Sequence, residues 1–148
     1  MSILILSLLL FATSFYVSAQ NLTAYEVLQK NRLPRGILPE GIVDYDLNPK
    51  TGFFKVYFNN TCQFPVDAFK VKYEPTVSGF IRNGRVTRLI GVSVKVVYVW
   101  LNIGEVSREG DELEFYVGAA SEEFPVHRFE NSPQCGCGFY CRELIYSS

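Results

Sequence analysis

The chain has 148 residues, with 14 Lys and Arg against 15 Asp and Glu, one His and four Cys, for a formal net charge of −1. That length suits one ordinary domain with a single core, and the near-neutral balance excludes the basic footprint that nucleic-acid binding requires. No apolar run reaches the roughly 20 residues of a membrane span.

In chain order, the first feature is the uncharged opening Met1 to Ala19, with an apolar centre from Ile3 to Leu10 and a small-residue end, Val17-Ser18-Ala19. This arrangement predicts a secretory signal peptide over residues 1–19 and a mature single domain over residues 20–148. Export places the cysteines in an oxidising compartment, where they cross-link rather than act as thiolates or metal ligands. No transmembrane span is expected once the signal is removed. Asn21-Leu22-Thr23 and Asn59-Asn60-Thr61 are sequons, so Asn21 and Asn59 are glycosylation candidates in a secreted chain. The second predicts an exposed turn just before Cys62.

Residues Leu22 to Arg32 carry a helix signal. Thr23 and Glu26 have capping-box spacing, and Leu22 and Val27 stand where a hydrophobic staple would. Pro34, followed by Pro39 and Gly41, ends the helix by Leu33. From Ile42 the periodicity becomes twofold: Val43, Tyr45 and Leu47 alternate with Asp44, Asp46 and Asn48, and Asn48 to Gly52 turns into an aromatic strand from Phe53 to Phe58. Further runs at Phe69 to Tyr73, Gly79 to Ile90, Val92 to Val106 and Glu112 to Val117 are punctuated by Pro75, Asn83-Gly84 and Gly110-Asp111. Together they predict a mainly β fold, an antiparallel barrel or sandwich with one short N-terminal α-helix.

Read as one strand, Val92 to Val106 is apolar on both faces, with Val94, Val96, Tyr98 and Trp100 on one side and Val97, Val99, Leu101 and Ile103 on the other. The run Phe53 to Phe58 makes the same demand for cover on two sides. Such strands are covered by the helix and loops, line an apolar pocket, or form a dimer interface. Tyr98, Trp100, Phe54, Val56 and Phe58 are the candidate pocket residues.

The remaining chemistry is sparse. Cys62, Cys135, Cys137 and Cys141 permit three pairings, and Cys135 with Cys137 makes poor geometry. The expectation is one bridge from Cys62 to the C-terminal segment and one small local loop. A zinc site of three cysteines and His127 lacks the paired knuckle spacing. His127 is the only histidine, so Ser-His chemistry would pass through it, with Ser78, Ser93, Ser107, Ser121 and Ser132 undistinguished as nucleophiles. Asp44 and Asp46 share a strand face about 7 Å apart, yet Pro49 and Lys55 stand where a calcium loop needs Gly and Glu. Arg82 and Arg85 flank Asn83-Gly84, with Arg88 beyond. A two-residue turn sets Arg82 opposite Arg85, solvated or meeting an anionic partner. No cofactor motif and no resident metal are read.

Three stretches carry a family resemblance: Tyr25-Glu26-Val27-Leu28, Leu33-Pro34-Arg35-Gly36-Ile37-Leu38-Pro39-Glu40-Gly41 and Thr51-Gly52-Phe53-Phe54-Lys55-Val56-Tyr57. With Gly91-Val92, Trp100-Leu101, Gly104-Glu105-Val106, Phe115-Tyr116-Val117-Gly118 and Phe124-Pro125, they resemble the plant family called domain of unknown function 538. The resemblance implies a β-rich domain opened by a helix, an association with stress responses, and similarity to lipid binders of the bactericidal permeability-increasing type. It supplies no catalytic motif. The expected function is a secreted, non-catalytic, stress-associated binding protein for a lipid or other amphiphile. The alternatives are a small serine/histidine esterase and a cell-wall or structural protein whose Arg82 and Arg85 meet an anionic polysaccharide.

Overall fold

Thr23 starts helix α1 (Ala24–Lys30) as its spacing predicts. Its hydroxyl accepts from the Glu26 amide while the Glu26 carboxylate accepts from the Thr23 amide, both at 3.1 Å. The computed structural model describes residues 22–141, so the signal peptide expected over residues 1–19 and the glycosylation candidate Asn21 lie outside the described residues. The helix ends two residues sooner than the periodicity suggests. Arg32 turns left-handed at φ +62, and the Leu33 amide donates back to the Leu28 carbonyl. Pro34 then leads into a single 3-10 turn, Arg35–Ile37.

Nine strands follow: β1 (Ile42–Leu47), β2 (Phe53–Phe58), β3 (Cys62–Val66), β4 (Phe69–Arg82), β5 (Arg85–Val96), β6 (Val99–Asn102), β7 (Glu105–Glu109), β8 (Glu112–Val117) and β9 (Ala120–Pro125). All pairings are antiparallel, along the path β1-β2-β4-β5-β7-β8-β9, with β3 on β4 and β6 on β5. The long β4–β5 hairpin, turning at Asn83-Gly84, is the spine. Its half near the turn is flanked by β2 and β7, and its far half by β3 and β6.

Three boundaries differ from the sequence reading. Pro75 does not separate two strands but sits inside β4, where the register slips between Tyr73 and Ser78. Pairing with β5 is interrupted there, so proline's missing amide costs no ladder bond. The run Val92 to Val106 is not one strand. It folds back at Val97-Tyr98, with Val96 opposite Val99, and starts again as β7. Strands β3 and β9 were not anticipated, because Pro65 and the Ser121-Glu122-Glu123 run have weak strand propensity.

One face of the sheet holds the core. The helix places Ala24, Val27 and Leu28 onto it, and Val56, Val77, Val106 and Leu113 are buried beneath. Polar ties seat the N-terminal segment: the Tyr73 hydroxyl donates to the Ile37 carbonyl, the Tyr45 hydroxyl to the Leu22 carbonyl, and the Gly84 amide to the Asn31 carbonyl at 2.7 Å. Gly36 is required by close approach, since a Cβ there would fall against the Phe129 carbonyl oxygen.

Among the described residues β1 and β9, the two ends of the path, do not pair with each other. The curl is instead closed by aromatic contact. Phe115 and Phe124 meet Phe129 with ring centroids 5.5 and 6.1 Å away, Phe129 meets Phe139 at 5.4 Å, and Phe139 meets Phe64 of β3 at 6.2 Å. The Cys62–Cys135 disulfide and the Gly136 amide donating to the Gln63 carbonyl hold the C-terminal segment along β3.

Candidate functional site

Phe69, Val71 and Tyr73, then Val77 and Ile81, face inward from β4, and Val86, Leu89, Val92, Val94 and Val96 from β5, where left-handed Arg88 and Gly91 shift the alternation. These inward faces do not fill the space between them. They enclose an apolar cavity of about 300 Å³, lined by residues from all three layers: helix, curled sheet and C-terminal segment. The helix end of its wall is sealed by buried Val27, Leu28, Ile81 and Val86. The other end is open, because lining residues Val96, Leu101, Ala120, Ser121 and Glu122 are exposed there and Phe69 and Val71 only half-buried. The β3–β4, β5–β6 and β8–β9 turns surround this mouth. Its polar lining comes from β9: Glu122 stands across the ladder from inward-facing Phe115, while the neighbouring Ser121 turns its hydroxyl to the outer face and donates to Glu114 at 2.7 Å. Deeper in, the Tyr73 hydroxyl is spent on the Ile37 carbonyl, and burial pushes its ionisation far above the ordinary tyrosine range.

The five candidate pocket residues divide. Phe54 and Val56 line the cavity. Phe58 is buried in the core outside the lining, edge-on to Tyr73 at 6.3 Å. Tyr98 and Trp100 are removed from the pocket, because the reversal at Val97-Tyr98 breaks the alternation that put them on its wall. Tyr98 lies at the turn, 87% exposed, and Trp100 packs outside the sheet beneath Lys72 and Lys95. The inward residues that reading missed, Phe69, Val71 and Tyr73, were visible as a stripe alternating with Lys70 and Lys72.

The other candidates are placed as follows. The cysteines pair as Cys62–Cys135 and Cys137–Cys141, one long bridge and one local loop, and among the described residues no cluster could hold a metal ion. Arg82 and Arg85 face each other across the turn. Arg82 is exposed, while Arg85 is engaged by Glu105 at 2.5 Å. Asp46 accepts from the Tyr57 hydroxyl at 2.9 Å and Asp44 from the Tyr45 amide at 2.8 Å, so the two carboxylates are used separately. His127 is exposed on a second 3-10 turn, Val126–Phe129, and among the described residues no serine hydrogen-bonds to it. Asn59 is exposed at the end of β2.

The family profile described as "Protein of unknown function, DUF538" matches residues 24–130, from the first residue of α1 to just beyond the second 3-10 turn. The chain belongs to the DUF538 family. All nine strands fall inside the DUF538 match, whereas Cys135, Cys137 and Cys141 fall beyond it. Among curated proteins the chain is similar to an uncharacterized protein of Arabidopsis thaliana, At5g01610, with 27% identity over 94 residues, covering 63% of this chain and 55% of the relative. The matched stretch thus spans about half of that relative's length.

Proposed function

We propose that this DUF538 protein is a secreted, non-catalytic binder of a lipid or other amphiphile, acting in a stress response, with the apolar tail held in the curled sheet and the polar head at the mouth. The observation that carries this reading is the cavity itself. It is almost wholly apolar, closed at the helix end and open at the other, with Ser121 and Glu122 on the rim. A volume of about 300 Å³ is at the lower end of small-molecule sites. The similarity to lipid binders of the bactericidal permeability-increasing type belongs to the same proposal. Paired cysteines and the absence, among the described residues, of any helix long and apolar enough to cross a membrane are compatible with export.

The test is native mass spectrometry with lipid extraction on protein secreted by a eukaryotic host, followed by titration with a fluorescent medium-chain fatty acid. We expect an adduct at near-unit stoichiometry or saturable probe uptake, and loss of uptake in Val71→Phe, which narrows the mouth at a half-buried position. An unliganded mass together with no probe uptake would overturn the proposal.

A further inference from the structure

The turn joining β5 to β6 is built against its own backbone preference. Val97 stands at φ +60, in the left-handed region where two-residue hairpin turns place Gly, Asn or Asp and where a β-branched residue is an outlier. Val97 and Tyr98 are 78% and 87% exposed, and Val96, Val99 and Leu101 beside them are exposed as well. Polar turn residues would satisfy both the backbone and the solvent. Apolar side chains here satisfy neither, and an outlier of this kind points to function.

The surface beside this tip is cationic. Lys70 and Lys95 stand directly opposite each other on β4 and β5, a like-charge pairing that is unfavourable in a sheet. Lys72 shares their outward face, and Trp100 lies opposite Lys95 on β6. The Lys72 and Lys95 ammonium groups sit 4.3 and 6.0 Å from the Trp100 ring centroid. Glu74 is 3.8 Å from Lys72, which leaves Lys70 and Lys95 without an acidic partner among the described residues. On its inner side the same hairpin contributes Val96 and Leu101 to the cavity mouth.

We propose that the β5–β6 hairpin docks this protein on an anionic lipid surface with the cavity mouth toward the bilayer. Val97 and Tyr98 enter the boundary of the acyl chains, Trp100 lies at headgroup depth, and Lys70, Lys72 and Lys95 meet lipid phosphates. The apolar tip lies outermost, and the Trp100 ring and the lysines share the level behind it, as the acyl boundary and the headgroup layer succeed one another in a membrane interface. Docking goes beyond the binding reading, and is measured separately from it.

Trp100 is the only tryptophan of the chain, so its emission reports the event directly. Vesicles of phosphatidylcholine alone and of phosphatidylcholine with phosphatidylserine are titrated into the secreted protein at physiological salt. The expected result is a blue shift of Trp100 emission and co-sedimentation, at least tenfold tighter on the phosphatidylserine vesicles. Val97→Gly with Tyr98→Ser, and separately Lys70→Gln with Lys95→Gln, should each weaken vesicle binding at least tenfold while circular dichroism stays unchanged. Equal binding to both vesicle types, or variants that bind like the parent, would overturn docking. A lipid-free dimer that Val97→Gly with Tyr98→Ser abolishes would assign the tip to a second copy and overturn it too. Fatty-acid uptake measured without vesicles separates the two readings: retained uptake with no vesicle binding defeats docking alone, and vesicle binding without uptake defeats the cavity reading alone.

Discussion

Asp67 sits at φ +52 in the two-residue turn between β3 and β4, and its two carboxylate oxygens accept from Arg128 at 2.6 and 2.9 Å. The Tyr140 hydroxyl accepts from the Asp67 amide at 3.2 Å. This one residue therefore ties the spine both to the second 3-10 turn and to the C-terminal segment. The Arg128 hydrogen bonds hold the Asp67 carboxyl below its ordinary value of 3.8, with the Arg128 charge adding to them and partial desolvation opposing. A carboxyl lowered on folding stabilises the fold above its unfolded value and ceases to do so as pH falls through the lowered folded value. Both side chains are a third or more exposed, so solvent screening limits the pair to about 1 kcal/mol at most. Asp67→Asn keeps a residue that tolerates left-handed backbone. It should lower stability by about that amount at neutral pH and flatten the loss of stability below about pH 4, as read by urea melts across pH. A variant whose acid limb matches the parent would show that the pair contributes nothing.

At the scale of elements, the ladder of the spine is interrupted by an irregular stretch. Four residues of β4, Glu74 to Val77, lie across from Gly91 alone, and the strands change partners on either side. Gly91 is at φ +98, and a Cβ there would stand 2.5 Å from the Thr76 carbonyl oxygen. Gly91→Ala should cost about 1–3 kcal/mol through backbone strain, with a thermal melt as the measurement, and an unchanged midpoint would refute the role given to this residue. What was legible in the sequence were elements whose local chemistry agrees with the fold: the Thr23 and Glu26 cap, the Asn83-Gly84 turn, and the aromatic run at Phe53 to Phe58. What was not legible were places where tertiary structure overrides local preference. Val97-Tyr98 turns without a turn residue, Pro75 lies inside a strand, and Glu122 and Glu123 pair in one. The misplaced Tyr98 and Trp100 follow from the first of these, since one unseen reversal reassigns every side chain after it. Phe54 and Val56 lie on a strand whose two ends were read correctly, and they line the cavity.

Taken whole, the molecule is a sheet curled around a cavity and fastened by rings, one ion pair and the Cys62–Cys135 disulfide rather than by a continuous ladder of hydrogen bonds. The covalent tie spans 73 residues of sequence, joining β3 to a segment that lies outside the family match. Closure of this kind leaves the outer backbone of β1 and of β9 unpaired among the described residues. Each is a template onto which another chain could add a strand. Both carry acidic side chains, Asp44 and Asp46 on β1 and Glu122 and Glu123 on β9, so neighbouring molecules meet edge to edge with like charge. Those four carboxylates then act as guards against fibril growth. Neutralising them together, with Asp44→Asn, Asp46→Asn, Glu122→Gln and Glu123→Gln, should give a protein that scatters light and binds thioflavin on standing where the parent does not. A variant that stays monodisperse would show that the sheet resists growth by its curl alone.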